Sequence, residues 1–548
     1  MSETLVRPHD RAARFDAIVV GAGFAGMYML HRLRVSGFTA RVLEAGGDVG
    51  GTWYWNRYPG ARCDVESLEY SYSFCPAITR EWSWSERYAA QPEILRYAGH
   101  VADRLNLRED IRFGTRVTGA VYDEDDGCWT VTTEHGAPLR ARFLITAVGC
   151  LSAANVPDPP GLGSFEGRWY HTGRWPHEGV DFTGERVAVV GTGSSGIQLI
   201  PAVAEQAAHV TVFQRTPNFS TPAVNGPLDP ARERWFKDNR DALARRARTS
   251  PGGFLIEYGE RSALEVSPEE RLAEFERRWS RGGVGFLAAF SDLLLSEEAN
   301  RTAADFVRDK IRSIVTDPAT AERLVPTGYS IGLKRLCLDT GYYAVYNRPD
   351  VTLVDLRETP ITEILPNGIR TAGETFDVDA IVFATGYDAI TGALLAMDIR
   401  GRGGRRLRDA WAAGPSSYLG LMSAGFPNLF TITGPGSPSV LTNMIVSIEQ
   451  HVEWIAACLA DLDRAFGPRA LIEAEADAEA AWMDHVRELA EFTLYGRAES
   501  WYSGANIAGK PRTFLPYAGG VGNYRAMCDR VAARGYEGFL RTALPEGA

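Results

Sequence analysis

The sequence predicts an α/β protein with two Rossmann-like dinucleotide-binding domains and a mostly helical insertion, and three observations carry that prediction. An apolar strand runs into Gly21-Ala22-Gly23-Phe24-Ala25-Gly26. The same grammar returns at Gly191-Thr192-Gly193-Ser194-Ser195-Gly196. Between about 225 and 330 the chain is charged, helix-forming and free of such glycine turns. At 548 residues it is several times longer than an ordinary domain of roughly 100–200 residues, so more than one core is required.

In the first unit the strand Ala17–Val20 leads through the glycine turn into a helical pattern over Met27–Val35. A second strand, Ala40–Leu43, ends in Glu44. Gly21 permits the tight turn, Gly23 lets backbone approach a pyrophosphate, and Gly26 lets helix and strand pack closely; the helix start offers free N–H groups to the anion. Glu44 can accept both ribose hydroxyls, which favours a nucleotide without a 2′-phosphate.

In the second unit Arg186–Val190 precedes the turn, a helix beginning with Ser194, Ser195, Gly196, Ile197 and Gln198 runs to Ala204, and the strand His209–Phe213 ends in Gln214-Arg215-Thr216. Here Arg215 takes the ribose-discriminating place, and a guanidinium pairs bidentately with a phosphate, so this site should prefer NADP. Two dinucleotides of different kinds imply electrons passed between them.

Helical segments are expected at Arg232–Arg248, Pro268–Arg281 and Thr302–Val315, with Arg245, Arg246 and Arg248 read as a solvated helix face. Strands return at Val351–Val354 and Ala380–Phe383, closing with Ala384-Thr385-Gly386-Tyr387-Asp388. The expected division is 1–145 with 390–548 for one nucleotide-binding domain, 150–225 with 330–390 for the other, and 225–330 for the insertion.

A net charge of -11 argues against nucleic acid or an anionic membrane as main partner. The longest apolar stretches, such as Phe143 to Leu151, fall far short of the ~18 residues a spanning helix needs. Met1 to Phe15 carries charges of both signs and no apolar core, unlike a secretory leader. The seven cysteines are scattered, without Cys-x-x-Cys spacing, so neither a disulfide framework nor a metal site is indicated. A soluble, cytoplasmic protein is expected, working as a monomer or weak homo-oligomer.

Just before the second unit stands Phe165-Glu166-Gly167-Arg168-Trp169-Tyr170-His171-Thr172-Gly173-Arg174-Trp175-Pro176. This segment resembles the fingerprint of type I Baeyer–Villiger monooxygenases, flavoproteins that insert one atom of O2 beside a ketone carbonyl. Gly50-Gly51-Thr52-Trp53-Tyr54-Trp55-Asn56-Arg57-Tyr58-Pro59-Gly60-Ala61-Arg62-Cys63-Asp64 is similar to the family's flavin-contacting loop. Lys334-Arg335, Gly434-Pro435-Gly436-Ser437-Pro438 and Ser500-Trp501-Tyr502 extend the likeness over about residues 15 to 540, nearest to the phenylacetone and steroid monooxygenase branch.

The resemblance implies that NADPH reduces FAD, that reduced FAD takes up O2 as a C4a-peroxide anion, and that this anion attacks a hydrophobic aryl, cyclic or steroid-like ketone to give an ester or lactone. A cation that cannot lose its proton keeps such an oxygen charged. Arg335 is the implied cation, and Asp64 its counter-charge and brace. Flavin contacts implied are Ala25, Glu44, Thr52, Trp53, Tyr54, Trp55, Arg62, Cys63, Asp64, Tyr70, Val117 and Met444. Thr216 with Arg215 and Lys334 would hold the 2′-phosphate, and Trp501 would lie near the nicotinamide ribose. Ser439-Val440-Leu441 would shape the substrate pocket. His171 receives no catalytic role.

Three rivals share these features in part. A class B flavin monooxygenase acting on nitrogen or sulfur usually lacks the Trp175-Pro176 ending. A pyridine-nucleotide disulfide reductase needs a redox cysteine pair, which Cys63 and Cys75 are wrongly spaced to supply. A non-enzymatic NADPH or flavin sensor has no use for the Arg335 and Asp64 pair.

Overall fold

The computed structural model describes residues 14–544, so the N-terminal segment considered above lies, apart from Arg14 and Phe15, outside the described residues. Two large sheets organise the chain. The first runs in the order Asp398–Arg400, Val117–Asp123, Cys128–Thr133, Leu139–Thr146, Arg14–Val20, Ala40–Leu43 and Ile111–Arg112, and Leu429–Thr431 also pairs with Leu139–Thr146. The second is parallel throughout: Val351–Asp355, His209–Gln214, Arg186–Val190, Ala380–Phe383 and Arg168–His171. Parallel strands covered on both faces require continuous apolar runs, and Val187, Ala188 and Val189 are fully buried.

The helix after the first glycine turn begins at Phe24, earlier than its periodicity suggests. Gly26 therefore lies within the first turn, where a Cβ would come within 1.8 Å of the Gly21 carbonyl oxygen. Only glycine allows helix and strand to approach this closely. The helix is buried nearly all round because a second helix, Met444–Phe466, packs over its far side.

Between Pro222 and Cys337 the described chain is helical, with helices Pro230–Thr249, Pro268–Arg281, Glu297–Ile314 and Pro318–Leu324. Each begins on a residue whose side chain caps it: Asp229, Ser267, Ser296 and Asp317. The third starts at Glu297, ahead of the expected Thr302, because Ser296 supplies the cap. Arg245 and Arg246 face solvent as expected, but Arg248 does not. It reaches Glu449 at 3.4 Å and Glu453 at 3.0 Å on the Met444–Phe466 helix, joining the insertion to the first sheet's helical layer.

Where the chain leaves for the insertion and returns from it, Ser220–Pro222 and Cys337–Asp339 pair in parallel, Ser220 opposite Cys337. That short ribbon brings Arg215-Thr216, just before departure, beside Lys334-Arg335, just before return. Among the described residues no helix is long and apolar enough to cross a membrane.

Candidate active site

Both glycine turns are built to face an anion. The helices Phe24–Val35 and Ser194–Ala204 start on Gly23 and Gly193 with no acidic residue in the first turn and, unlike the four insertion helices, no side-chain cap. Their first N–H groups therefore remain available, with the positive end of the helix dipole behind them. Gly21 has φ +103 and Gly191 φ +112, and a Cβ on either would collide with a backbone oxygen, of Ala147 at 2.7 Å or of Ala384 at 2.5 Å. A Cβ on Gly193 would meet nothing within 4 Å, so protein packing does not demand glycine there; the open space it leaves suits a pyrophosphate. These cradles fit two dinucleotides.

At the first cradle Glu44 is buried, and its carboxylate accepts from the N–H of Ala22 at 2.6 Å and of Gly46 at 2.6 Å. Burial raises its pKa against the pull of these bonds. The Thr115 N–H bonds the Glu44 carbonyl at 2.8 Å, which sets Val117 close by at the start of its strand. Thr52–Trp55 forms one helical turn after Gly51, whose backbone touches Gly23 closely enough that a Cβ on Gly51 would sit 2.8 Å from the Gly23 Cα. The buried Trp53 indole donates to the Tyr70 hydroxyl at 3.1 Å, and the Gly47 N–H donates to the Tyr54 hydroxyl at 2.8 Å. Ala25, Gly23 and Gly26 lie in the turn itself, and Met444 opens the helix that packs behind it.

Two proposed contact residues point elsewhere. The Arg62 guanidinium bonds the Glu86 carboxylate and the Tyr88 carbonyl, and the Gln198 amide bonds the Arg62 backbone, so both side chains are committed to protein. Motif spacing does not reveal side-chain direction.

Arg335 and Asp64 meet across the seam between the two sheets. Arg335 Nε donates to Asp64 Oδ2 at 2.7 Å and Nη2 to Oδ1 at 2.8 Å, a bidentate pair, while Nη1 donates to the Val440 carbonyl at 2.9 Å. Only 22% of the Arg335 and 25% of the Asp64 side-chain surface remains exposed. Burial works against the guanidinium charge, yet the Asp64 charge and hydrogen bonds override it and hold Arg335 above the ordinary arginine value. The site thus carries a permanent, oriented cation. Beside it Cys150, Ile390, Val440, Tyr502 and Leu515 form an apolar cluster, with Leu441, Met444 and Trp501 packed against it.

At the second cradle Lys334 is half-buried with its Nζ 4.6 Å from the Tyr329 ring centroid. Its pKa is lowered first by burial and then by Arg215, with Glu499 pulling the other way. Arg215 itself is exposed, and Thr192 Oγ1 donates to the Thr216 carbonyl at 3.1 Å, tying the glycine turn to this corner. A shared anion would relieve the charge that Arg215 places beside Lys334, the environment a 2′-phosphate needs. Ser194 Oγ lies 3.1 Å from Cys337 Sγ. Trp501 is half-buried, its ring centroid 4.3 Å from that of Tyr502.

Sequence reasoning did not identify Cys150, Tyr495 or Lys510. Burial raises the Tyr495 and Tyr502 pKa values, the first to about 12, and Arg335 opposes both shifts, which places the two phenols beside the cation. Lys510 bonds the Asp388 carboxylate and, at 2.9 Å, the Ala389 carbonyl, pinning the C-terminal loop on the segment after Phe383. No local spacing signals these contacts.

His171 is buried at the C-terminal end of its strand. Its Nδ1 accepts from the Gly173 N–H at 3.0 Å, so Nε2 carries the proton and faces Thr385 Oγ1 at 3.2 Å, which in turn donates to the Asn155 carbonyl at 2.7 Å. His451 repeats the pattern: Nδ1 accepts from the Thr433 N–H at 2.8 Å and Nε2 faces the Tyr524 hydroxyl at 2.9 Å. Burial, aided by Arg174 and Arg525 respectively, lowers their pKa values to about 4 and about 3. Unfolded histidines take up protons below their ordinary 6.5, which the folded protein refuses. Their stability contribution is therefore complete above pH 6.5 and falls as pH drops towards 4, by ~1.4 kcal/mol per pH unit for each histidine. Urea midpoints between pH 7 and 5 should show this slope reduced in His171→Asn, which keeps an acceptor for Gly173; an unchanged slope contradicts the assignment.

A family model described as pyridine nucleotide-disulphide oxidoreductase matches residues 18–242. Over 539 residues the chain is 45% identical to a Baeyer–Villiger monooxygenase of Pseudooceanicola batsensis, covering 97% of each. The chain belongs to the Baeyer–Villiger monooxygenase family. A solved structure, an oxidized steroid monooxygenase bound to NADP, superposes with a TM-score of 0.93 at 53% identity, over 97% of this chain and 100% of that one. A phenazine N-monooxygenase of Lysobacter antibioticus is 44% identical over 530 residues, 96% of this chain and 97% of its own. This Baeyer–Villiger monooxygenase is an NADPH-dependent flavoprotein whose cofactors are FAD and NADP. Cys63 and Cys75 are free, and burial pushes the Cys63 thiol pKa up, away from the reactive thiolate.

Proposed function

We propose that the enzyme inserts oxygen beside the carbonyl of hydrophobic ketones, aryl, cyclic or steroid-like, to give esters or lactones, with Arg335 as the cation that stabilises the negative charge of the reacting oxygen. The observation that supports this most is the bidentate Arg335–Asp64 pair set against the Val440 carbonyl and an apolar wall. Reduced by NADPH, bound FAD supplies the activated oxygen.

In this reading the cradle of Gly21, Gly23 and Gly26 with Glu44 holds the FAD nucleotide, and Thr52 to Trp55, Asp64, Tyr70, Val117 and Met444 surround the rest. Gly191 to Ile197, Arg215, Thr216 and Lys334 hold NADP, with Trp501 beside it. Asp64 keeps the guanidinium charged and aimed, while Val440, Leu441 and Tyr502 exclude water from the reacting carbonyl. A preorganised charge in a water-poor space stabilises developing negative charge without reorganisation, worth about 2.7–4 kcal/mol for a single donor.

The test is a panel of small cyclic ketones, phenylacetone and steroid side-chain ketones, supplied with NADPH and O2 and scored by product mass. Esters or lactones one oxygen atom heavier than the ketone are expected, favouring the more apolar members. Oxygenation confined to aromatic amines, the chemistry named for the Lysobacter relative, would contradict the ketone reading.

A further inference from the structure

The loop that carries Asp64 is gripped from the other side of the seam two residues earlier. Gln198, on the helix Ser194–Ala204, donates from Nε2 to the Arg62 carbonyl at 2.9 Å. Its Oε1 accepts from the Arg62 N–H at 3.3 Å and from the Tyr58 hydroxyl at 2.8 Å. One amide thus binds both polar groups of a single residue's backbone, as a neighbouring strand would. Gly60, at φ +81, lets the loop lie against the helix, since a Cβ there would come within 2.2 Å of the Gln198 carbonyl oxygen.

Two further contacts close a triangle. The loop reaches Arg335 through Asp64, and the segment carrying Arg335 returns to the same helix through Cys337 Sγ and Ser194 Oγ, 3.1 Å apart. Three polar braces thus link the helix, the loop and the arginine segment, over a shared apolar core that includes Tyr58, Ala61, Ile197 and Leu336. Gln198 supplies the brace with the most hydrogen bonds between the helix and the loop.

We infer that Gln198 is a positioning residue that registers Asp64, and through it the Arg335 guanidinium, against the helix of the second sheet. The inference rests on the role proposed for Arg335. Without this brace the cation is less well placed when oxygen is transferred, and the electrons of NADPH leave with O2 as H2O2.

The experiment compares FAD-loaded wild type, Gln198→Leu and the milder Tyr58→Phe by two readouts. Hydrogen exchange of a peptide covering 58–66 requires no turnover, and Gln198→Leu, which removes all three bonds, should raise its rate by about tenfold or more, while the strand Arg186–Val190 stays protected. With phenylacetone, ester formed per NADPH consumed should fall by about threefold or more, H2O2 accounting for the difference. Tyr58→Phe, which removes one bond, should move both readouts less. Unchanged exchange at 58–66 overturns the inference, as does faster exchange with a wild-type ester ratio. Failure of the underlying Arg335 role is read separately, from Arg335→Ala retaining its ester yield.

Discussion

Replacing Arg335 with alanine is expected to lower ester formation by about a hundred- to a thousandfold, the loss of one preorganised donor of about 2.7–4 kcal/mol, while NADPH still reduces the flavin. The two steps separate because the guanidinium faces Asp64, Val440 and the apolar cluster, whereas the nucleotide cradle is built from Gly191, Gly193 and Gly196. Asp64→Ala should be nearly as damaging to oxygen transfer and also less stable, because it strands a guanidinium that loses both short hydrogen bonds. Breaking a buried ion pair costs ~3–5 kcal/mol, and partial exposure of this one brings the expected loss to about 2–3 kcal/mol. Asp64→Asn, which keeps one acceptor, should fall between wild type and alanine. Steady-state ester formation and urea midpoints measure both effects.

The second large effect is on cofactor choice. Lys334 and Arg215 crowd positive charge at the corner where the insertion leaves and returns, and burial with that crowding already lowers the Lys334 pKa. Removing both by Lys334→Ala with Arg215→Ala should raise the KM for NADPH by about a hundredfold, from two charged contacts of roughly 1.5 kcal/mol each. The KM for NADH, which offers no 2′-phosphate, should change little. A parallel rise for both nucleotides would show that the pair supports the fold and not the phosphate.

Much of the fold could be read from the sequence because the nucleotide units are locally determined. The glycine turns follow from steric limits on Gly21, Gly26, Gly191 and Gly196, and the strand Ala40–Leu43 with its terminal Glu44 lies where its pattern puts it. What escaped reading depends on long-range pairing. Residues 215 and 334 become neighbours only because Ser220–Pro222 lies beside Cys337–Asp339. Arg248 reads as a solvated helix residue until the carboxylates of Glu449 and Glu453 arrive from a distant helix. The Arg335–Asp64 pairing was accessible through family resemblance; its third contact, the Val440 carbonyl, was not, because a backbone acceptor leaves no mark on residue type. Gln198 and Arg62 sit in motifs associated with nucleotides, yet their side chains serve the seam, a direction that motif spacing does not encode.

A single turnover tests the central claim most directly. FAD-loaded wild type and Arg335→Ala are each reduced anaerobically by one equivalent of NADPH, then mixed with phenylacetone and isotopically heavy O2, and labelled ester is counted per flavin. Wild type should give close to one labelled ester, and the variant, though fully reduced, less than about a hundredth of that. Labelled ester from Arg335→Ala at the wild-type yield and rate would contradict the role assigned to the guanidinium.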